Sequence, residues 1–60
     1  MTSNELYNKL LQIKNTKPEY QFTELDLLPF GNVENQMEQL INEGKIVKGK
    51  DILGTFTVIS

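Results

Sequence analysis

The sequence predicts one small α+β domain, three helices followed by a C-terminal β-hairpin. Apolar residues recur at helical spacing in three successive segments. Pro18, Pro29, Gly31 and Gly44 fall between or just after those segments, where helices stop and chains turn. Beyond Gly44 the composition shifts to β-branched and aromatic residues on either side of a polar turn. With 60 residues the chain holds a single domain, residues 1–60. A core of that size is thin: a domain this long buries only about 60% of the surface its unfolded chain exposes, so a homodimer partner would add stability.

The first helix is expected over residues 2–15. Thr2-Ser3-Asn4-Glu5 has capping-box spacing, which satisfies orphan amides at a helix start. Leu6, Leu10 and Ile13 follow at helical spacing, with Tyr7 and Leu11 beside them. Lys14 interrupts that face near its end, where its stem can lie on the core while the ammonium reaches water. Pro18 disfavours helix in the residue before it and ends the segment. Tyr20-Gln21-Phe22 alternates apolar and polar, compatible with a third, very short strand. Thr23 and Asp26 repeat the cap spacing, so a second helix begins there, with Leu25 and Leu28 turned inward and Pro29 ending or kinking it. Phe30-Gly31-Asn32 is then a turn, and Asn32 is a good N-cap for the third helix. Val33, Met37, Leu40 and Ile41 form its apolar stripe, and Gly44 stands where a left-handed C-cap belongs. Ile46-Val47 and the apolar stretch 52–59 are the hairpin strands, joined by Lys48-Gly49-Lys50-Asp51.

Helix, short strand, short helix, turn, longer helix and hairpin is the order of a winged helix-turn-helix, and the chain resembles that superfamily over nearly its whole length. Leu40-Ile41-Asn42-Glu43-Gly44-Lys45-Ile46-Val47 resembles the end of a recognition helix turning through glycine into the first wing strand, and Gly54-Thr55-Phe56-Thr57-Val58 resembles the returning strand. The resemblance is to the superfamily and not to a particular family within it. It implies a DNA-binding domain, although winged helices also serve as protein-interaction modules. An α+β domain whose hairpin packs on three helices without a helix-turn-helix crossing would share the same core.

Composition restricts the chemistry. Ala, Arg, His, Cys and Trp are absent. Without His or Cys the commonest general base, the thiol nucleophile and the usual transition-metal ligands are missing. Without Cys there is no disulfide either. An enzyme is therefore not expected, nor a metal site or cofactor; the four glycines form no phosphate-binding motif, and the acids show no calcium-loop spacing. Glu34 and Glu38 lie one helical turn apart, a spacing that more often is plain surface charge than a cation site. The N-terminus is polar, and no apolar run approaches the roughly 18 residues of a membrane span, so the expectation is a soluble, cytoplasmic protein. Heavy use of Lys, Asn and Ile without Arg or Ala points to an A·T-rich bacterial or phage gene.

Two candidate surfaces follow. With its apolar stripe inward, the third helix presents Asn35, Glu38, Gln39 and Asn42 outward, at a step of about 100° per residue. In a DNA-binding winged helix these positions would enter the major groove, where Asn and Gln pair with adenine and Glu accepts from cytosine. An ordinary solvated helix face looks the same. The second candidate is the set of wing lysines, Lys45, Lys48 and Lys50, which the resemblance implies would grip phosphates. Lysines on a hairpin also blunt an exposed edge. Lys9, Lys14 and Lys17 on or after the first helix would complete a basic side if they converged with these. Two readings emerge. One is a small DNA-binding transcriptional regulator of bacterial, prophage or plasmid origin, with duplex DNA as partner. The alternative, motivated by the net charge of −2, the missing Arg and the glutamates Glu34, Glu38 and Glu43, is an acidic winged-helix module that binds protein. Among the aromatics, Tyr20 and Phe30 are the ones whose exposure would mark an interface.

Overall fold

The computed structural model describes residues 1–50 and 54–59. Its elements are helix α1 (Ser3–Thr16), a 3-10 helix (Glu24–Phe30), helix α2 (Glu34–Asn42) and strands β1 (Ile46–Lys48) and β2 (Phe56–Val58). This is an α+β domain of three helices and an antiparallel C-terminal hairpin, a layout consistent with a winged-helix-like fold. Asp51, Ile52 and Leu53, which the sequence assigns to the end of the turn and the start of the last strand, lie outside the described residues.

Helix α1 starts as its sequence predicts. The Thr2 hydroxyl accepts from the Glu5 N–H at 3.1 Å, and the Glu5 carboxylate accepts from the Thr2 N–H at 3.4 Å, so two orphan amides are satisfied reciprocally. Leu6 and Leu10 are fully buried, with Tyr7, Leu11 and Ile13 packed around them. Lys14 goes further than snorkelling: its ammonium donates to the Val58 carbonyl at 2.6 Å, fastening α1 to the end of β2.

The strand expected at Tyr20-Gln21-Phe22 reduces to a single antiparallel bridge between Phe22 and Phe56, with the Phe56 N–H donating to the Phe22 carbonyl at 3.0 Å. The Gln21 amide donates to the Phe56 carbonyl at 3.0 Å on the same edge. β2 therefore lies between Phe22 and β1, which it pairs in the register Ile46–Val58, Val47–Thr57, Lys48–Phe56.

The second helix departs from the sequence expectation. It is a 3-10 helix, and Pro29 sits inside its last turn instead of ending it; Gly31, at φ 78°, closes the turn with its N–H on the Leu28 carbonyl. Leu25 and Leu28 point outward and are 73% and 71% exposed. The residues packed against the core are Leu27 and Phe30. Both pairs are three apart, and at three residues per turn each forms an eclipsed ridge, so spacing alone cannot choose between them. The choice is made upstream. Phe22 is buried against Phe56, and the Asp26 carboxylate accepts from the Thr23 N–H at 2.8 Å, which fixes the angle at which the helix begins.

Asn32 acts one position earlier than expected. Val33 is the N-cap residue of α2, and the Asn32 carboxamide oxygen accepts from the Glu34 N–H at 3.2 Å. The orphan amide is still satisfied, while Val33 is free to bury its side chain. At the other end Gly44, at φ 76°, closes a Schellman cap: its N–H donates to the Ile41 carbonyl and the Lys45 N–H to the Leu40 carbonyl. The core is Leu6, Leu10, Phe22, Val33, Met37, Leu40, Ile46, Phe56 and Val58, drawn from every element but the 3-10 helix, which covers it from one side.

Candidate interaction surface

The stripe of Val33, Met37, Leu40 and Ile41 turns α2 so that Asn35, Glu38, Gln39 and Asn42 all lie exposed, the orientation expected of them. They do not form a cationic surface. α2 contains Glu34 and Glu38 and no lysine, and Glu43 follows at its C-cap. Gln39 is engaged within the helix, its amide donating to the Glu43 carboxylate at 3.2 Å.

The wing lysines separate. Lys45 folds back onto α1, its ammonium 5.1 Å from the centre of the Tyr7 ring and 3.2 Å from the Glu43 carboxylate. Lys48 turns the other way and pairs with Glu24 of the 3-10 helix at 3.8 Å. Lys50 is exposed and has no partner among the described residues. Both pairs are solvent-exposed and worth at most about 1 kcal/mol, so they do not lock the lysines in place. They do set the local balance: Glu24, Glu34, Glu38 and Glu43 oppose Lys45, Lys48 and Lys50. On α1 and just after it, Lys14 donates to the Val58 carbonyl and Lys17 lies over the Tyr20 ring at 5.9 Å.

Between the 3-10 helix and α2 runs an open groove of about 540 Å³. Leu27, Val33, Met37 and Ile41 form its floor, and the exposed Leu28 forms one wall. Its charged rim is Glu24, Glu34 and Glu38, with Lys48 at one end beside Glu24. The sequence marks Val33, Met37 and Ile41 as core residues, and the structure makes their outer edge a groove floor as well. Leu28 was not legible as a surface residue, because Leu25 and Leu28 form one apolar ridge and Leu27 and Phe30 another, and their equal spacing does not say which faces outward.

On the opposite flank of the 3-10 helix a second depression is lined by Ile13, Tyr20, Leu25 and Phe30 among others. Tyr20 is half exposed and Phe30 half buried, so of the two aromatics singled out from the sequence it is Tyr20 that reaches the surface. Its hydroxyl donates to the Asp26 carboxylate. That hydrogen bond, with smaller contributions from burial and from the Asp26 charge, holds the Tyr20 pKa above its ordinary value near 10.

Among the described residues no group of His, Cys, Asp or Glu could hold a metal ion; Glu34 and Glu38 stand together without a third ligand. No described helix is long and apolar enough to cross a membrane. No protein-family profile, curated protein or solved structure matches the chain.

Proposed function

We propose that this domain is a protein-interaction module on a winged-helix-like scaffold. The observation that carries the reading is the charge of α2: the helix that would enter a DNA groove bears two carboxylates and no cation. A duplex presents one phosphate charge per ~1.7 Å of its axis, and a binder gains affinity by neutralising those charges with lysine or arginine. Glutamates facing that array are repelled, and Lys45 and Lys48, which offer the nearest compensation, lie against acids of their own chain. Leu28, exposed beside α2, suits a protein surface better than a phosphate backbone.

The second reading, a small DNA-binding regulator, keeps specific support. Asn35, Gln39 and Asn42 are exposed on the helix that would read bases, and Lys50 stands at the wing without an in-chain partner among the described residues. Titrating a dye-labelled mixed-sequence duplex with the protein, from low to physiological salt, separates the two. The module reading expects no change in fluorescence anisotropy at either salt. Binding that weakens log-linearly with salt, and whose slope falls by about one unit in Lys50→Gln, overturns it in favour of DNA.

A further inference from the structure

The geometry points to a definite occupant for the groove between the 3-10 helix and α2: an amphipathic helix of a partner protein whose apolar stripe is flanked by lysine or arginine. This rests on the protein-interaction reading above and adds the chemistry of the partner. The apolar part of the argument is the floor of Leu27, Val33, Met37 and Ile41 and the wall supplied by Leu28, which is 71% exposed although it is as apolar as any core residue. Val33 to Ile41 spans about 12 Å along the α2 axis, which is two turns of a helix laid alongside and room for apolar anchors at i, i+3 or i+4, and i+7.

The rim selects the charge. Glu24 stands on the 3-10 helix side, and Glu34 and Glu38 stand one turn apart on α2. Among the described residues Lys48 is the one cation in the lining, and it pairs with Glu24. The groove thus has a net negative border, and its unpaired carboxylates, Glu34 and Glu38, stand on the α2 side of the apolar floor. A basic amphipathic helix places its anchors on the floor and its cations against the α2 carboxylates Glu34 and Glu38. A second copy of this chain would bring the same carboxylates face to face, and an anionic lipid surface or a nucleic acid would meet like charge. Each of those occupants is disfavoured by the same rim that favours a cationic helix.

The test uses three dye-labelled synthetic peptides of about 14 residues, four helical turns. Two carry identical leucine anchors, one flanked by lysines and one by glutamates; the third has the lysine peptide's composition in scrambled order. Fluorescence polarisation of each is followed against the whole protein at low and physiological salt. Exposed ion pairs contribute up to about 1 kcal/mol each, so two or three of them predict about tenfold tighter binding of the lysine-flanked peptide than of the glutamate-flanked one, narrowing as salt rises. Glu34→Gln with Glu38→Gln should remove most of that preference while leaving the fold intact by circular dichroism. Leu28→Ser should weaken the lysine-flanked peptide about tenfold, and Leu25→Ser, on the other flank of the 3-10 helix, should leave it unchanged. Equal binding of the two anchored peptides, equal binding of the scrambled one, insensitivity to both the glutamate and the Leu28 variants, or no binding at all overturns the inference. The duplex titration distinguishes the levels. If neither peptide nor DNA binds, this groove assignment fails and the module reading stands; salt-linked DNA binding removes the module reading itself.

Discussion

Phe56 combines ring stacking in the core with backbone pairing on both sides. Its ring stacks on Phe22 at 5.3 Å between centroids, Tyr20 meets the other edge of that pair at 5.2 Å, and its backbone pairs with Phe22 on one side and Lys48 on the other. Phe56→Ala should cost about 3–5 kcal/mol. A domain of this length has roughly 3–9 kcal/mol of stability in all. The variant should therefore lose at least about a third of the domain's stability, which urea titration followed by circular dichroism would check. Tyr20 offers a prediction with a sign. Its pKa is raised in the folded state because the phenol donates to Asp26, so the proton is held more tightly in the native chain than in the unfolded one. The associated stability is present below pH 10 and is lost as pH rises through the folded value. Carbon-13 NMR of the phenol carbon should show Tyr20 ionising at higher pH than a free tyrosine, and Asp26→Asn should bring it back down.

At the scale of elements, the helix ends obeyed local chemistry. The Thr2–Glu5 box, the stop before Pro18 and the glycine cap at Gly44 each need only neighbouring atoms, and each stands where the sequence places it. Gly44 has open space where a Cβ would go, so Gly44→Ala is opposed by backbone strain alone. It should cost about 1–2 kcal/mol, and Gly44→Asn less, because Asn tolerates the left-handed region. Equal melting temperatures for both variants and the parent would contradict that account. The 3-10 helix is the element that local rules could not orient. Its six residues from Leu25 to Phe30 include four large apolar side chains, and inward and outward ridges have the same spacing.

At the scale of the molecule, the C-terminal strand is held by groups far away in sequence. The Tyr7 hydroxyl donates to the Ile59 carbonyl, the Lys14 ammonium to that of Val58, and the Ile59 N–H returns to the Lys45 carbonyl at 2.8 Å. Lys14→Met keeps the aliphatic stem and removes only the donor. It should cost about 1 kcal/mol. In a domain this small that corresponds to a melting temperature lower by about 4–8 °C. Amide hydrogen exchange should quicken at Ile59 while Leu6 and Leu10 stay protected. The same wide view bears on function. A net charge of −2 says little about any one face, whereas the placement of Lys45 against α1 and Lys48 against the 3-10 helix breaks the expected basic wing into separate pairs.

The α+β class, the order of the elements, the core face of α1 and α2 and the outward set Asn35, Glu38, Gln39 and Asn42 all follow from periodicity, caps and turn residues, because those signals act within a turn or two of the chain. The phase of the 3-10 helix, the reduction of the third strand to one bridge and the partners of the lysines were decided by tertiary contacts. Each depends on where a distant group stands: Phe56 beneath Phe22, Tyr7 beneath Lys45, Glu24 beside Lys48. The groove belongs with these. Its floor takes Val33, Met37 and Ile41 from a core stripe visible in the sequence, and its wall exists only because Leu27 and Phe30, and not Leu25 and Leu28, took the buried side.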